Sequence, residues 1–185
     1  RLVLGTLATT VLAFPLRDAA TAAFLDPVVV GGCLLVTGVL VYASRFVVGG
    51  PAEEQTMGWS QAALVGLVQG LAVFPGISRS GATITAGLGA GLERAWAARF
   101  SFILSVPAIA GATLVEVVSH REALAAGGPS AIAVALLGGL AAAITGYFAL
   151  RLVIRLVGSE RFHLFAWYCL PLGSAVLVFS RVLGP

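Results

Sequence analysis

Between Ile132 and Arg151 the chain carries no charged residue, and between Val28 and Val48 it carries one, Arg45. Runs this long and apolar leave few folds open. A soluble domain has nothing polar to cover them with, whereas about 20 apolar residues in a helix cross a bilayer with every backbone group bonded internally. Composition points the same way: 59% of residues are hydrophobic, 10% are charged and the mean hydropathy is +1.02, against about a quarter charged residues in a soluble domain. The expected fold class is all-α, a polytopic membrane protein. Spanning helices are read at Val28 to Val48, Phe100 to Val118, Ile132 to about Val157 and Leu164 to Leu183, with Pro107 and Pro171 kinking the spans they fall in.

The first apolar stretch, Leu2 to Phe14, is too short to span. It is followed by a polar break, Pro15-Leu16-Arg17-Asp18, and a short amphipathic piece ending at Asp26-Pro27. The chain starts at Arg1, its one methionine is Met57 and no signal peptide is visible, so an N-terminal truncation is expected. Cys33 and Cys169 lie inside apolar stretches and read as small core residues rather than disulfide or metal partners. The net charge of +3 comes with no basic run, which argues against nucleic acid as a partner.

Residues 61–92 break the pattern of full spans. After a hydrophilic loop, Gly49 to Trp59, with Ser60 as a candidate N-cap, an apolar half-length piece from Gln61 to Phe74 stops at Pro75-Gly76. A second runs from Ala82 to Leu92. Two half helices around a Gly/Pro/Ser break predict a re-entrant hairpin within a single membrane domain of residues 1–185, the alternative being one kinked span. With a hairpin, Arg45, Arg94, Arg99, Arg151, Arg155 and Arg161 share one side, and Arg17, Arg121 and Arg181 the other. That asymmetry favours the hairpin and places the loop after Val48 in the cytoplasm. Gly87 and Gly91 form a GxxxG, read as ordinary close packing rather than a dimer face.

The break reads Pro75-Gly76-Ile77-Ser78-Arg79-Ser80-Gly81-Ala82-Thr83. An arginine at membrane depth is costly and is a functional candidate by default. Its planar fork suits two phosphate oxygens at once. Gly76 and Gly81 let backbone N–H groups approach an anion, and a helix starting near Ala82 would point its positive end into the loop. Arg79 and Ser78 are thus the candidate catalytic residues, and Arg79, Ser78, Ser80, Gly81, Thr83 and Gly76 the candidate phosphate-binding set. The spacing also approaches a nucleotide-binding P-loop, but Ala82 stands where a lysine is needed and no strand precedes it. The bland alternative has the hydroxyls capping a broken helix and Arg79 paired with a carboxylate or carbonyls. Glu116, His120 and His163 read as interfacial.

Residues 69–84, from Gln69-Gly70-Leu71-Ala72-Val73-Phe74 through the PGISRSGAT core to Ile84, resemble the second signature of the undecaprenyl-diphosphatase (bacitracin-resistance) family. Phe100-Ser101-Phe102-Ile103-Leu104-Ser105-Val106-Pro107 and the arrangement of spans are similar to that family as well. The resemblance implies an integral membrane hydrolase of the bacterial inner membrane that converts undecaprenyl diphosphate to the monophosphate for reuse in cell-wall synthesis. It implies a polyprenyl diphosphate as partner, and two inverted repeats that each lend a re-entrant hairpin to one outward-facing site. It also implies a divalent cation, Mg or Ca, for which this chain shows no protein ligands.

By the same resemblance, Arg79 binds the diphosphate while Ser78, Ser80 and Thr83 line its pocket. The first repeat supplies a pair of glutamates and a Ser/His motif with no counterpart here. Gln69 and Val73 occupy the positions analogous to the glutamates, and neither can act as an acid or base. Hydrolysis through a loop serine and hydrolysis by activated water both stay open. So does a carrier that holds the same anion without cleaving it. Oligomeric state is not legible.

Overall fold

A computed structural model describes residues 1–122 and 128–183. Its helices are α1 (Leu2–Ala23), α2 (Pro27–Ala43), α3 (Trp59–Leu71), α4 (Arg79–Gly89), α5 (Arg94–Ser119), α6 (Gly128–Gly158) and α7 (Ala166–Leu183), with 3-10 turns at Ser44–Phe46 and Phe162–Phe165. The all-α class is the one the chain adopts. Five helical segments, all but α3 and α4, are long and apolar enough to cross a bilayer. Leu114, Val115, Ile132, Leu136, Leu140 and Phe148 on α5 and α6 stand exposed. Apolar surface on that scale needs lipid around it. The chain is a multi-pass membrane protein.

The expected break at Pro15–Asp18 is not there, for α1 runs unbroken through Pro15 to Ala23. Proline removes one backbone donor, a loss that helices in membranes tolerate. The alanines that follow are the strongest helix formers. Arg17 and Asp18 pair at 3.2 Å on the exposed surface of the helix. The first piece is therefore long and apolar enough to cross a bilayer.

Two helix pairs are drawn together through glycine. On α3, Gly66 lies so close to Gly5 of α1 that a Cβ at residue 66 would collide with the Gly5 carbonyl. Thr9 uses this proximity, its hydroxyl lying 2.8 Å from Gly5 O and 2.9 Å from Gly66 O. On the other side, α2 and α7 run antiparallel: Gly31 meets Leu177 and Gly173, and Gly38 meets Leu170. The largest core sits near one end of the molecule, where Met57, Ile84, Leu88, Leu92, Leu104, Phe100 and Val157 are all buried. Trp96 Nε1 closes it with a contact to Met57 Sδ at 3.4 Å.

The short helices α3 and α4 are antiparallel. Gln61 Nε2 on the first turn of α3 donates to Ala90 O just past α4, at 2.7 Å. The strands of chain that lead in and out are tied as well, through Gly50 N to Leu92 O, Ala52 N to Gly91 O and Glu93 N to Ala52 O. Both ends of the pair therefore lie on one side. Gly58 caps α3 in place of Ser60, because Gln61 Oε1 reaches back to the Gly58 N–H at 2.6 Å. Gly87 packs on Leu92 and Ala97 of its own chain.

The loop joining α3 and α4 lies between the two ends of the bundle. Gly70, one residue before α3 ends, packs on Thr9, Leu12 and Ala13 of α1, and α1 continues from there to Ala23, about 15 Å further at 1.5 Å per residue. Gly76 in the loop packs on Val30, Cys33 and Leu34 of α2.

Candidate functional site

The site begins with Gly76. Its φ of +94 lies in the left-handed region, where side chains other than glycine's are strained. A Cβ there would also come within 2.5 Å of Val30 O on α2. This turn lets the chain leave α3, brush past α2 and start a new helix at a sharp angle.

That helix starts three residues earlier than the sequence suggests, at Arg79 rather than near Ala82. The reason is Ser78, which adopts an extended conformation and whose Oγ accepts the Gly81 N–H at 3.0 Å. Serine is among the preferred caps because it satisfies a donor that helix geometry leaves open. The first internal bond follows, from Ala82 N to Ser78 O at 2.8 Å.

Two further hydroxyls hold this turn from outside. Thr37 on α2, 2% exposed, donates to Gly76 O at 2.8 Å and accepts the Ser78 N–H at 2.9 Å. On the opposite flank Thr83 donates to Arg79 O at 2.7 Å and pairs with the Ser101 hydroxyl of α5.

These bonds decide which donors remain. The N–H groups of Ile77, Ser78, Gly81 and Ala82 are taken, while those of Gly76, Arg79 and Ser80 have no partner among the described residues. Nor do the Arg79 guanidinium and the Ser80 hydroxyl, and both side chains are half-buried. Such a set, at the positive end of a helix, suits an anion. The expected residues Gly76, Ser78, Arg79, Ser80, Gly81 and Thr83 thus all come together within one turn of the start of α4. They do so unequally, because the Thr83 hydroxyl is 0% exposed and already bonded inside the protein.

Thr37 and Ser101 are absent from the sequence-based set. They lie 41 residues before Ser78 and 18 after Thr83. A lone hydroxyl in the otherwise apolar Val28–Val41 run was the available signal, since a polar group in a membrane helix needs a partner. Gln69 is 3% exposed; its Nε2 reaches Thr9 Oγ1 at 3.2 Å and Leu104 O at 3.3 Å, and its Oε1 has no partner among the described residues. Glu116 and His120 pair at 3.2 Å on the exposed end of α5, away from the loop. His163 is half-buried, with its Nδ1 at 3.0 Å from Glu160 O.

Among the described residues no three His, Cys, Asp or Glu side chains come together in a possible metal site. The hydroxyls and guanidinium of the loop are not a donor set that fits a divalent cation held directly by this chain.

Comparison with known proteins supplies a family. The family described as bacitracin resistance protein BacA matches residues 1–175. An undecaprenyl-diphosphatase of Methanosphaera stadtmanae is 39% identical over 98% of this chain, and one of Desulfosudis oleivorans is 45% identical over 95%. The chain spans 64% and 63% of the lengths of these two relatives. A third, from Methanothermobacter thermautotrophicus, is 37% identical over 97% of this chain, which covers 99% of that relative. The chain belongs to the bacitracin resistance protein BacA family.

Proposed function

We propose that this chain provides the diphosphate-binding part of an undecaprenyl-diphosphatase, which hydrolyses undecaprenyl diphosphate to the monophosphate and inorganic phosphate in the bacterial inner membrane. The observation that carries this reading is Arg79, which has no ion-pair partner among the described residues and stands beside two uncommitted N–H groups at a helix start. The guanidinium and those N–H groups hold the diphosphate, with Ser80 as a further donor. Negative charge that builds up on the phosphoryl oxygens during attack is stabilised by the same groups.

Proton transfer comes from outside the loop. Gln69 is an amide and Val73 an alkyl chain, and neither can move a proton. A positioned acid or base contributes about 10²- to 10⁴-fold. The chain alone should therefore bind inorganic diphosphate yet release phosphate from undecaprenyl diphosphate at least about 100-fold more slowly than the longer Desulfosudis oleivorans relative. Phosphate release in detergent measures both, and comparable rates would overturn the division of labour. Transport of labelled lipid across vesicles with no phosphate release would replace the hydrolase with a carrier.

The hairpin of α3 and α4 enters the bilayer from one face and returns to it, with the loop at its tip inside the membrane. In support, its ends are bonded together and its tip packs part-way along α1 and α2. Ser60→Cys and Glu93→Cys, each introduced alone in a chain lacking Cys33 and Cys169, should react with an impermeant thiol reagent from the same face. Reaction from opposite faces would make the segment a single kinked span.

A further inference from the structure

We infer that Thr37 is a positioning residue for the anion loop, and that it determines which of the loop's backbone groups face the ligand. This rests on the reading of that loop as a diphosphate site. Among the described residues, Thr37 is the one side chain outside the loop that both donates to it and accepts from it, at Gly76 O and Ser78 N. The two bonds span the residue with the left-handed turn and the residue that caps α4. They draw a carbonyl, whose negative end would repel an anion, onto α2. They also consume the Ser78 N–H, so that the donors left open at the helix start are those of Arg79 and Ser80, with the Gly76 N–H beside them.

The helix around Thr37 makes the assignment specific. Gly38, the next residue, lies against Leu170 of α7, so α2 cannot rotate to bring another group to the loop. Thr37 is itself 2% exposed, which leaves no room for water to replace the hydroxyl. Valine matches threonine in shape and removes only the hydrogen bonds. Serine keeps the hydroxyl and loses a methyl group. The neighbouring Thr85 offers a control, because it also bridges α4 to α2, through Leu40 O at 3.4 Å, but does not touch the loop.

The test uses the chain in detergent micelles with inorganic diphosphate as the probe. Thr37→Val should weaken diphosphate binding about 10- to 100-fold, the scale expected when a buried donor and acceptor lose their partner. It should also speed amide hydrogen exchange in residues 76–80. Thr37→Ser should restore both to within a few-fold, and Thr85→Val should change neither. In a complete, active relative, the substitution at the matching threonine should raise KM more than it lowers kcat, since the loop's grip on both phosphates is what suffers. If Thr37→Val binds diphosphate normally, or if Thr85→Val weakens binding as much, the positioning role is refuted while the reading of the loop survives. If the unaltered chain does not bind diphosphate, or Arg79→Ala binds it equally well, the anion reading falls and the positioning role with it.

Discussion

Arg79→Ala should abolish diphosphate binding by this chain and cost an active relative about 10³-fold or more in kcat/KM at the matching arginine, the scale on which one preorganised donor to a developing charge is felt. The effect is expected to be the largest of any arginine in the protein. Arg94 is taken up by Val47 O at 2.8 Å and Glu160 at 3.3 Å, Arg45 stacks between Tyr42 and Phe46, and Arg151 stacks on Tyr147. Arg79 has no such occupation. Arg79→Lys should also be severe, because an ammonium keeps the charge but cannot hold two oxygens in one plane. Ser80→Ala should cost less, since a neutral hydrogen bond contributes about 0.5 to 1.5 kcal/mol. A much larger loss at Ser78 would point to a serine nucleophile, although its Oγ also caps α4, so helix content must be followed in parallel. Near-normal affinity and turnover in Arg79→Ala would make the arginine a structural residue.

Gly76→Ala should be among the most damaging single methyl additions in the chain. It demands a left-handed backbone from alanine, at about 1 to 3 kcal/mol, and sets a Cβ at 2.5 Å from Val30 O. The carbonyl it strikes belongs to α2, which is pinned to α7 by glycine contacts and cannot yield. We expect a loss of about 3 kcal/mol or more in unfolding free energy, read from denaturation in detergent, together with loss of diphosphate binding. Gly89→Ala is the comparison. That glycine has an ordinary φ and nothing within 4 Å of an added Cβ, so the change should be neutral or stabilise α4 by about 0.5 to 1 kcal/mol. If the two variants behave alike, the turn at Gly76 is not what holds the loop.

Spans and the two half helices with the break between them were legible because each depends on local sequence: uninterrupted apolar length and a Pro-Gly stop. Helix boundaries were less so. Pro15, Arg17 and Asp18 read as a break because they are polar or helix-breaking one by one, yet α1 absorbs all three. Ser78 reads first as a ligand group with capping as the alternative, and it is the capping bond to Gly81 that starts α4 three residues early. The harder failure was Thr83 and Thr37. Both are threonines in or near apolar stretches, and only tertiary contact tells them apart. Ser101 turns the first inward to bond with α5, and Gly76 brings the loop onto the second. Neither contact leaves a periodic trace in the sequence.

The glycine contacts that join α1 to α3 and α2 to α7 have a mechanical meaning. Backbone lies on backbone where Gly66 meets Gly5 and where Gly173 meets Gly31, and Leu170 and Leu177 fill the rest of the α2–α7 contact, so each pair moves largely as one plate. Residues 72–78 bridge the plates: they leave α3 on the first and are tied to α2 on the second through Thr37 and the Gly76 contacts. Shear between the plates, such as a change in bilayer thickness would impose, is felt in those seven residues as well as in the connections at residues 24–26 and 44–58. The loop that leads into Arg79 is therefore one place where the surrounding lipid can strain the protein.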